Sequence, residues 1–371
     1  MDGLKGKIEE ILSIADIKIN GDRPWDIQVH NEGLYRRIIH ERDLGLGEAY
    51  MDGWWDAKEL DQFFYRVMNG RLDEKIKISL SLVWLAVKSA VFNRQSKSRA
   101  FEIGERHYDT GNELFEAMLG PSMAYSCGYW ENAKNLDEAQ YAKYDLICRK
   151  IGLRPGMTVL DIGCGWGGFL KYAAKNYGIQ GVGATVSKEQ AELARELCKG
   201  LPVEIILKDY RELDYKFDRV VSIGMFEHVG YKNHRTFMKV VDRCLKDDGL
   251  FLLHTIGSDR WMTTTDAWTE KYIFPNGHLP CIKQIGDAYM SLFVMEDWHN
   301  FGSYYSDTLK AWDDNFEKNW PKLKDKYGER FYRMWRYYLL SAVGSFKARR
   351  NELWQIVFSK YGVLGGYKTV R

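Results

Sequence analysis

The stretch VLDIGCGWGGF, residues 159–169, predicts a buried strand, a glycine-rich turn and the start of a helix. Beyond it, further strand-like segments alternate with helical ones: IQGVGATVS, VEIILKD, FDRVVSIG and LFLLHTIG. Such alternation is typical of an α/β fold with a mostly parallel sheet and helices on both faces. In sheets of this kind ligands bind outside the carboxyl ends of the strands. We therefore expect the functional site at the turns that follow these segments.

The glycine-rich turn also indicates the class of cofactor. Gly163, Gly165 and Gly168 fit the dinucleotide pattern G-x-G-x-x-G, which is a weak signal by itself. Asp161, inside the strand end, extends the pattern to D-x-G-x-G-x-G, which resembles class I methyltransferases that use S-adenosylmethionine. The next strand, GVGATVS, ends without the acidic residue that an NAD site places on the ribose. The resemblance implies a Rossmann-like fold with a mostly parallel seven-stranded sheet.

The composition is that of an ordinary globular protein, with 45% hydrophobic and 28% charged residues. The 371 residues suffice for a large domain with a smaller one beside it. The formal net charge of +2 gives no general attraction to nucleic acid, so we expect no nucleic-acid partner. The six cysteines include no C-x-x-C pair, which argues against a disulfide scaffold and against a metal site.

The first hundred residues show helical periodicity and no convincing strand. We expect a helical N-terminal domain over residues 1–92, a basic linker over 93–103 and an α/β domain over 104–371. One apolar helical face runs from Ile76 to Val91, and the cations Arg94, Lys97 and Arg99 follow it. This helix could lie on a membrane surface or pack on the core of its own domain, and the residues alone favour packing.

A carboxylate stands in an unexpected place in VVSIGMFEHVG, residues 220–230. Glu227 follows a short apolar run bounded by glycines, which predicts the end of a buried strand. A buried carboxylate is costly unless it has a partner. His254 lies at the corresponding end of LFLLHTIG, so we expect both side chains in one layer of strand ends. His228, next to Glu227, is interpreted as a structural histidine that pairs with a backbone group.

Several long motifs in a fixed order indicate a family. They are HYDTGNELFEAMLGPSMAYSCGYW, VLDIGCGWGG, TVSKEQ, GMFEHVG, LLHTIG, YIFPNGHLP and MEDWHNFGSYY, and with LGLGEAYMDGWW they cover nearly the whole chain. The chain resembles the bacterial cyclopropane-fatty-acyl-phospholipid synthases, whereas the mycolic acid cyclopropane synthases are similar only over the catalytic part. The resemblance implies methylene transfer from S-adenosylmethionine to the cis double bond of an unsaturated acyl chain in a membrane phospholipid. Residues 104–371 would then form the catalytic domain, with insertions that bind the acyl chain.

The same resemblance implies a bicarbonate ion as the base that removes a proton after methyl transfer. Glu227 would accept a hydrogen bond from the bicarbonate hydroxyl, while His254 and Tyr305 would donate to the ion. The backbone amides of Cys127 and Ile256 would complete the cage. Two of these residues have a plainer interpretation: Cys127 could be a small buried thiol, and His254 a core histidine on an apolar strand.

For S-adenosylmethionine the resemblance implies contacts that follow the same motifs. The glycines would line the methionine portion, the TVSKEQ segment the ribose and the KDY segment the adenine. The chain departs from the mycolic branch in having Tyr210-Arg211 where that branch has Trp-Glu. The predicted contacts are Tyr125, Ser126, Asp161, Gly163, Gly165, Thr185, Gln190, Asp209 and Tyr210.

Two other functions stay open on the sequence. A methyltransferase that leaves a methyl branch on an acyl chain, or methylates a small molecule, would not need Glu227, His254 and Tyr305 together. A lipid carrier with an inactive methyltransferase fold would not need the intact glycine turn. The resemblance favours a cytoplasmic enzyme bound peripherally to the inner face of the cytoplasmic membrane. We expect a homodimer, which would give two membrane contacts and added avidity.

Charge reversal in the basic segment tests the membrane-docking hypothesis. If the helix from Ile76 to Val91 lies on the membrane with its cations near anionic headgroups, Lys97→Glu with Arg99→Glu weakens binding to anionic vesicles. Vesicle co-sedimentation measures this effect. If the variant and the unmodified chain bind the vesicles equally well, this segment is not the docking element.

Overall fold

The computed structural model describes residues 2–72 and 111–371. The predicted membrane helix, the predicted linker and the predicted boundary between residues 92 and 93 lie outside these ranges. The helices are α1 Asp2–Ser13, α2 Gly33–Met51, α3 Leu60–Asn69, α4 Asn112–Leu119, α5 Leu136–Lys150, α6 Gly168–Tyr177, α7 Lys188–Leu197, α8 His234–Cys244, α9 Ala267–Tyr272, α10 Ile282–Tyr289 and α11 Ser303–Lys347. The strands are β1 Gln28–Val29, β2 Trp55–Asp56, β3 Thr158–Ile162, β4 Gln180–Thr185, β5 Val203–Leu207, β6 Phe217–Ile223, β7 Leu245–Ser258, β8 Val294–Asn300 and β9 Asn351–Ser359.

Seven of these strands form one sheet in the order β5-β4-β3-β6-β7-β9-β8. The pairs β3–β4, β3–β6, β4–β5 and β6–β7 are parallel, and β8–β9 is antiparallel. In the central strand β3, Val159, Leu160 and Ile162 are fully buried, as expected for a parallel strand covered on both faces. The predicted fold class, a Rossmann-like α/β fold with a mostly parallel seven-stranded sheet, is confirmed.

The chain divides into two compact units that are not continuous in sequence. Thr264–Pro275 and Tyr305–Asn351 belong to the unit of the N-terminal segment, and the rest of the described C-terminal part belongs to the unit with the large sheet. The sequence-based division assigned all of residues 104–371 to one domain, and the structure differs from it. The reason is aromatic packing: in the first unit the ring of Tyr337 lies 5.0 Å from Phe64 and 4.4 Å from Trp268.

The first unit also contains a small sheet that the sequence analysis missed. Gln28 pairs with Asp56 and Val29 with Trp55, in antiparallel strands of two residues each. Strands this short show no alternating pattern, so the sequence predicted only that this segment is mainly helical. None of the helices within residues 2–72 and 111–371 is long and apolar enough to cross a membrane. All six cysteines lie in these ranges, where each is buried and none forms a disulfide.

Candidate active site

The glycine-rich turn between β3 and α6 brings the backbone close to a cavity. Gly163 and Gly165 have φ of +83° and +53°, values that residues with a side chain rarely adopt. A Cβ at Gly163 would overlap Met225, whereas one at Gly165 would point into open space. The carbonyl of Ala184 on β4 accepts hydrogen bonds from the N–H groups of Gly163 and Cys164, at 2.9 and 3.1 Å. The turn is therefore held tightly against the sheet.

All nine residues predicted to contact S-adenosylmethionine line one cavity at the carboxyl ends of β3, β4, β5 and β6. Sequence analysis did not place His228 at this cavity, but the structure does. Burial lowers the pKa of His228 to about 4, so its imidazole is neutral near pH 7. The cavity lining also includes Met123, Ala124, Tyr144, Trp166, Phe169, Lys208, Arg211, Ile223 and Met225.

Two buried carboxylates present acceptor atoms in the cavity lining. Oδ1 of Asp209 accepts the N–H of Arg211 at 2.9 Å, while Oδ2 has no hydrogen-bond partner in the described part of the chain. Oδ1 of Asp161 is likewise without a partner among those residues. Burial raises the pKa of Asp161 to about 7, and the nearby Lys143 opposes the shift. Buried acceptors of this kind fit the amino groups of S-adenosylmethionine, which carries one on its adenine and one on its methionine portion.

A hydrogen bond joins the side chains of Thr185 and Gln190 at the cavity. The Thr185 hydroxyl donates to Oε1 of Gln190 at 3.0 Å and accepts the N–H of Ser187 at 3.2 Å. Ser187 is the N-cap of α7, since its side chain accepts the N–H of Gln190. The end of β4 and the start of α7 thus place both side chains at the cavity, as expected for the segment predicted to contact the ribose.

A buried lysine that sequence analysis missed holds the Tyr125-Ser126 segment. Lys143 on α5 is fully buried, and its Nζ donates to Oγ of Ser126 at 2.8 Å and to Oε1 of Gln140 at 2.7 Å. Nε2 of Gln140 donates to the carbonyl of Ser126 at 2.8 Å. Burial lowers the pKa of Lys143 to about 7, against the influence of Cys127 and Asp161. This network determines the position of a segment that lines the cavity.

Glu227 lies in a short 3₁₀ turn, Phe226–His228, just beyond β6. Its Oε1 accepts the N–H of Ile256 on β7 at 2.7 Å, and its carbonyl accepts the N–H of His278 at 2.9 Å. Oε2 is buried and unpartnered within residues 2–72 and 111–371. Burial raises the pKa of Glu227 to about 7, and the Ile256 N–H opposes this. The amide of Ile256, predicted to donate to bicarbonate, thus donates to Glu227 because a buried carboxylate oxygen requires a donor.

His254 is fully buried on β7, and its carbonyl accepts the N–H of Gly224, which follows β6. Its ring lies 6.0 Å from Phe301, and Nδ1 is 3.3 Å from Nε2 of Gln355 on β9. Nε2 of His254 has no hydrogen-bond partner among the residues that the structure covers. Burial lowers the pKa of His254 well below its ordinary value, and Lys143 and Lys150 add to the effect. His254 is therefore a neutral imidazole.

The other predicted cage residues occupy different surroundings. Cys127 is fully buried, and its thiol donates to the carbonyl of Gly128 at 3.2 Å. Tyr305 belongs to the first compact unit, where its ring packs on Phe346 at 4.6 Å and on Trp312 at 5.9 Å. The bicarbonate contacts of both residues stay predictions.

The sheet, the glycine turn and the cavity define a class I S-adenosylmethionine-dependent methyltransferase. Residues 95–356 match the family described as mycolic acid cyclopropane synthetase. A cyclopropane-fatty-acyl-phospholipid synthase of Escherichia coli K12 is 52% identical over 362 residues, which cover 98% of this chain and 94% of the relative. The chain therefore belongs to the cyclopropane-fatty-acyl-phospholipid synthase family and is an enzyme of S-adenosylmethionine-dependent methylene transfer, as the resemblance implied.

Two further comparisons bear on the site. The structure of mycolic acid cyclopropane synthase CmaA1 complexed with SAH and CTAB is 31% identical, with a TM-score of 0.66 over 70% of this chain and 98% of that one. This similarity supports the binding of S-adenosylmethionine, since SAH is its demethylated product. A probable fatty acid methyltransferase of Pseudomonas putida is 36% identical over 267 residues, 68% of each chain.

Replacement of Lys143 tests its role at the cavity. Lys143→Met removes both hydrogen bonds from Nζ and leaves the Ser126 hydroxyl without its donor. We expect the Kd for S-adenosylmethionine to rise about 10-fold, the effect of one unsatisfied buried group. Isothermal titration calorimetry measures this change.

Lys150→Met is the matched control for this variant. Lys150 lies on the same helix, is equally buried, and its pKa is also lowered to about 7 by burial, but its Nζ contacts His299. Both variants should lose stability, whereas only Lys143→Met should weaken cofactor binding. Equal Kd values for the two variants would contradict the assignment.

Proposed function

We propose that the enzyme transfers a methylene group to the cis double bond of an unsaturated acyl chain in a membrane phospholipid and closes a cyclopropane ring. In this reaction the methyl carbon of S-adenosylmethionine leaves the sulfonium sulfur and bonds to one alkene carbon, which leaves a cation on the other. The new methyl group then loses a proton, and its electron pair closes the three-membered ring. The products are the cyclopropane, S-adenosylhomocysteine and a proton.

The observation that carries this proposal is the pair of unpartnered polar atoms on Glu227 and His254. Oε2 of Glu227 and Nε2 of His254 are buried and lack partners anywhere in the described ranges. Glu227 follows β6, and His254 lies on the adjacent parallel strand β7, where it pairs with Ile223 at the end of β6. Glu227 is tied to Ile256, two residues beyond His254. Buried polar groups without partners are costly. The acceptor on Glu227 and the donor on His254 therefore favour a bound polar ligand.

A bicarbonate ion suits this pair, because it carries one hydroxyl donor and two acceptor oxygens. Glu227 would accept from its hydroxyl and His254 would donate to an oxygen, with Tyr305 and the amides of Cys127 and Ile256 as further predicted contacts. The amide of Ile256 donates to Glu227 in the structure, so it reaches the ion only by sharing that hydrogen bond. When bound, bicarbonate supplies a base that is weak enough to survive beside a carbocation.

The surroundings of His254 suit a reaction that forms positive charge on carbon. The ring of Phe301 lies 6.0 Å from His254 and 5.4 Å from Tyr129. Aromatic faces attract cations, and a site closed to water limits capture of the cation by hydroxyl. A neutral His254 adds no positive charge to oppose the cation.

A second candidate function is methyl transfer that leaves a methyl branch on the acyl chain. The similarity to the probable fatty acid methyltransferase of Pseudomonas putida favours it. Such a reaction ends in loss of a proton from a neighbouring chain carbon and keeps a double bond. It does not require a base positioned against the transferred methyl group, and the Glu227–His254 pair therefore favours ring closure.

Membrane association and assembly form part of the same proposal. A phospholipid acyl chain must leave the bilayer to enter a protein site, so we place the enzyme at the inner face of the cytoplasmic membrane as a peripheral protein. The segment from Ile76 to Val91 with its basic tail is the docking candidate. A homodimer would double the membrane contacts and raise the avidity.

Lipid mass spectrometry tests the proposed reaction. The purified enzyme is incubated with S-adenosylmethionine and vesicles of an unsaturated phospholipid, with bicarbonate added or removed. We expect an acyl chain heavier by one CH₂ that resists ozone cleavage, formed faster with bicarbonate. A product of the same mass that ozone still cleaves would identify the methyl-branched alternative, and a rate independent of bicarbonate would reject that ion as the base.

The pH profile tests the role of Glu227. Its pKa is raised to about 7, so the carboxylate that accepts a hydrogen bond is lost as the pH falls through 7, and kcat should fall with it. Glu227→Gln should lower kcat about 10²-fold and remove this dependence. Steady-state rates are measured from about pH 6 to about pH 8.5 at constant bicarbonate concentration, a range that brackets the raised pKa.

Asp161→Asn is the control for this experiment, because burial raises the pKa of Asp161 to about 7 as well. Asp161 lines the cofactor cavity, so its replacement should raise KM for S-adenosylmethionine and keep the pH dependence of kcat. If the pH dependence of kcat disappears in Asp161→Asn and persists in Glu227→Gln, the titrating group is Asp161, and the proposed role of Glu227 is rejected.

A further inference from the structure

We infer that Gln355 is a positioning residue that sets the tautomer of His254, so that Nε2 carries the proton and can donate it in a hydrogen bond. This inference rests on the proposed function for its purpose, since a donor at Nε2 is what an anion beside Glu227 requires. Gln355 lies 101 residues from His254 in sequence, and neither the motifs nor the family resemblance assigned it a role.

The geometry of the contact determines the direction of the hydrogen bond. β9 neighbours β7 in the sheet, and Nε2 of Gln355 approaches Nδ1 of His254 at 3.3 Å. An amide nitrogen donates and does not accept, so Nδ1 of the imidazole must be the acceptor. In a neutral imidazole the other nitrogen then bears the proton. Nε2 of His254 is accordingly an N–H group, buried and without a partner in the part of the chain that is described.

The charge state of His254 makes this choice of tautomer decisive. A protonated imidazole would donate from both nitrogens whatever its neighbour, but burial keeps His254 neutral. A neutral ring has a single donor, and the residue that contacts Nδ1 decides where it is. With the opposite tautomer the lone pair of Nε2 would face any bound anion and repel it.

The burial of Gln355 supports a functional role. Residues 353–358 of β9 are all buried, and Gln355 is the polar side chain among Leu353, Trp354, Ile356, Val357 and Phe358. Its Oε1 has no partner within the described residues. An apolar residue would avoid the cost of that buried oxygen, roughly 1–3 kcal/mol. The hydrogen bond from its amide nitrogen to Nδ1 of His254 explains why an amide side chain is present at this position.

The tautomer can be read directly by ¹⁵N NMR on the free enzyme. Protein labelled with ¹⁵N-histidine gives ring nitrogen resonances that distinguish a protonated from an unprotonated nitrogen, and His254→Asn assigns the His254 signals by their absence. We expect His254 to carry its proton on Nε2 in the unmodified enzyme. A proton on Nδ1 would overturn the inference, because the amide oxygen of Gln355 would then be the atom that faces the ring.

Two substitutions at Gln355 test its control of the ring. Gln355→Met keeps the volume and removes the donor, so the His254 signals should shift to a mixture of tautomers. Gln355→Glu replaces the donor with an acceptor, and the proton should move to Nδ1. In both variants we expect kcat to fall about 10-fold or more, with KM for S-adenosylmethionine unchanged. His254 spectra identical to those of the unmodified enzyme would overturn the inference.

Ser359→Ala is the matched control. Ser359 is a buried polar residue on the same strand, but its hydroxyl contacts Glu296. It should change neither the His254 spectrum nor kcat. The NMR experiment and the lipid assay test different claims. A reaction rate that does not depend on bicarbonate rejects the proposed base. A proton on Nε2 of His254 in the unmodified enzyme, and its loss in Gln355→Glu, would still support the control of His254 by Gln355.

Discussion

The hydrogen bond from the Ile256 N–H to Glu227 joins the ends of two parallel strands and makes a buried carboxylate possible. A carboxyl group that is removed from water needs a donor, and a backbone amide at 2.7 Å supplies one without adding a charge. A lysine or arginine in that place would hold the carboxylate ionised and lower its pKa. With an amide instead, burial dominates and the pKa of Glu227 rises to about 7. Glu227 therefore remains a basic acceptor.

The same balance between burial and weak pairing extends to the cofactor cavity. Burial lowers the pKa of Lys143 and raises that of Asp161, so that both shift toward their neutral forms near pH 7. Lys143 and Asp161 therefore add little charge beside the cavity, whose lining also includes Lys208, Asp209 and Arg211. Ser126, held by Lys143, links this cavity to the neighbouring Cys127. The packing of α5 thus holds the segment that precedes Cys127.

Some of the residues predicted from sequence have neighbours in space that are also near in sequence. Gly163, Gly165 and Asp161 belong to one strand–turn–helix unit, so a local pattern sufficed to place them at a cavity. Lys143 and Gln355 could not be found in this way, because their partners lie 17 and 101 residues away and a buried lysine or glutamine has no local signature. The compact units differ from the predicted domains for a similar reason. Trp268 packs on Tyr337, and no periodicity predicts a contact across that separation.

Glu227 and His254 have complementary properties that follow from one cause. Complete burial makes the carboxyl group more basic and the imidazole less basic, so the first becomes a better acceptor and the second a ring with a single donor. Burial is the largest cause of both shifts, and a cation beside the carboxyl group or an anion beside the imidazole would oppose them. A nucleophilic carboxylate or amine at a carbocation risks alkylation. Groups that are held by backbone amides and a neutral side chain can direct a small anion and remain at a distance from the reacting carbon. In the proposed reaction, the apolar burial that suits the alkene also determines the pKa of Glu227 and of His254.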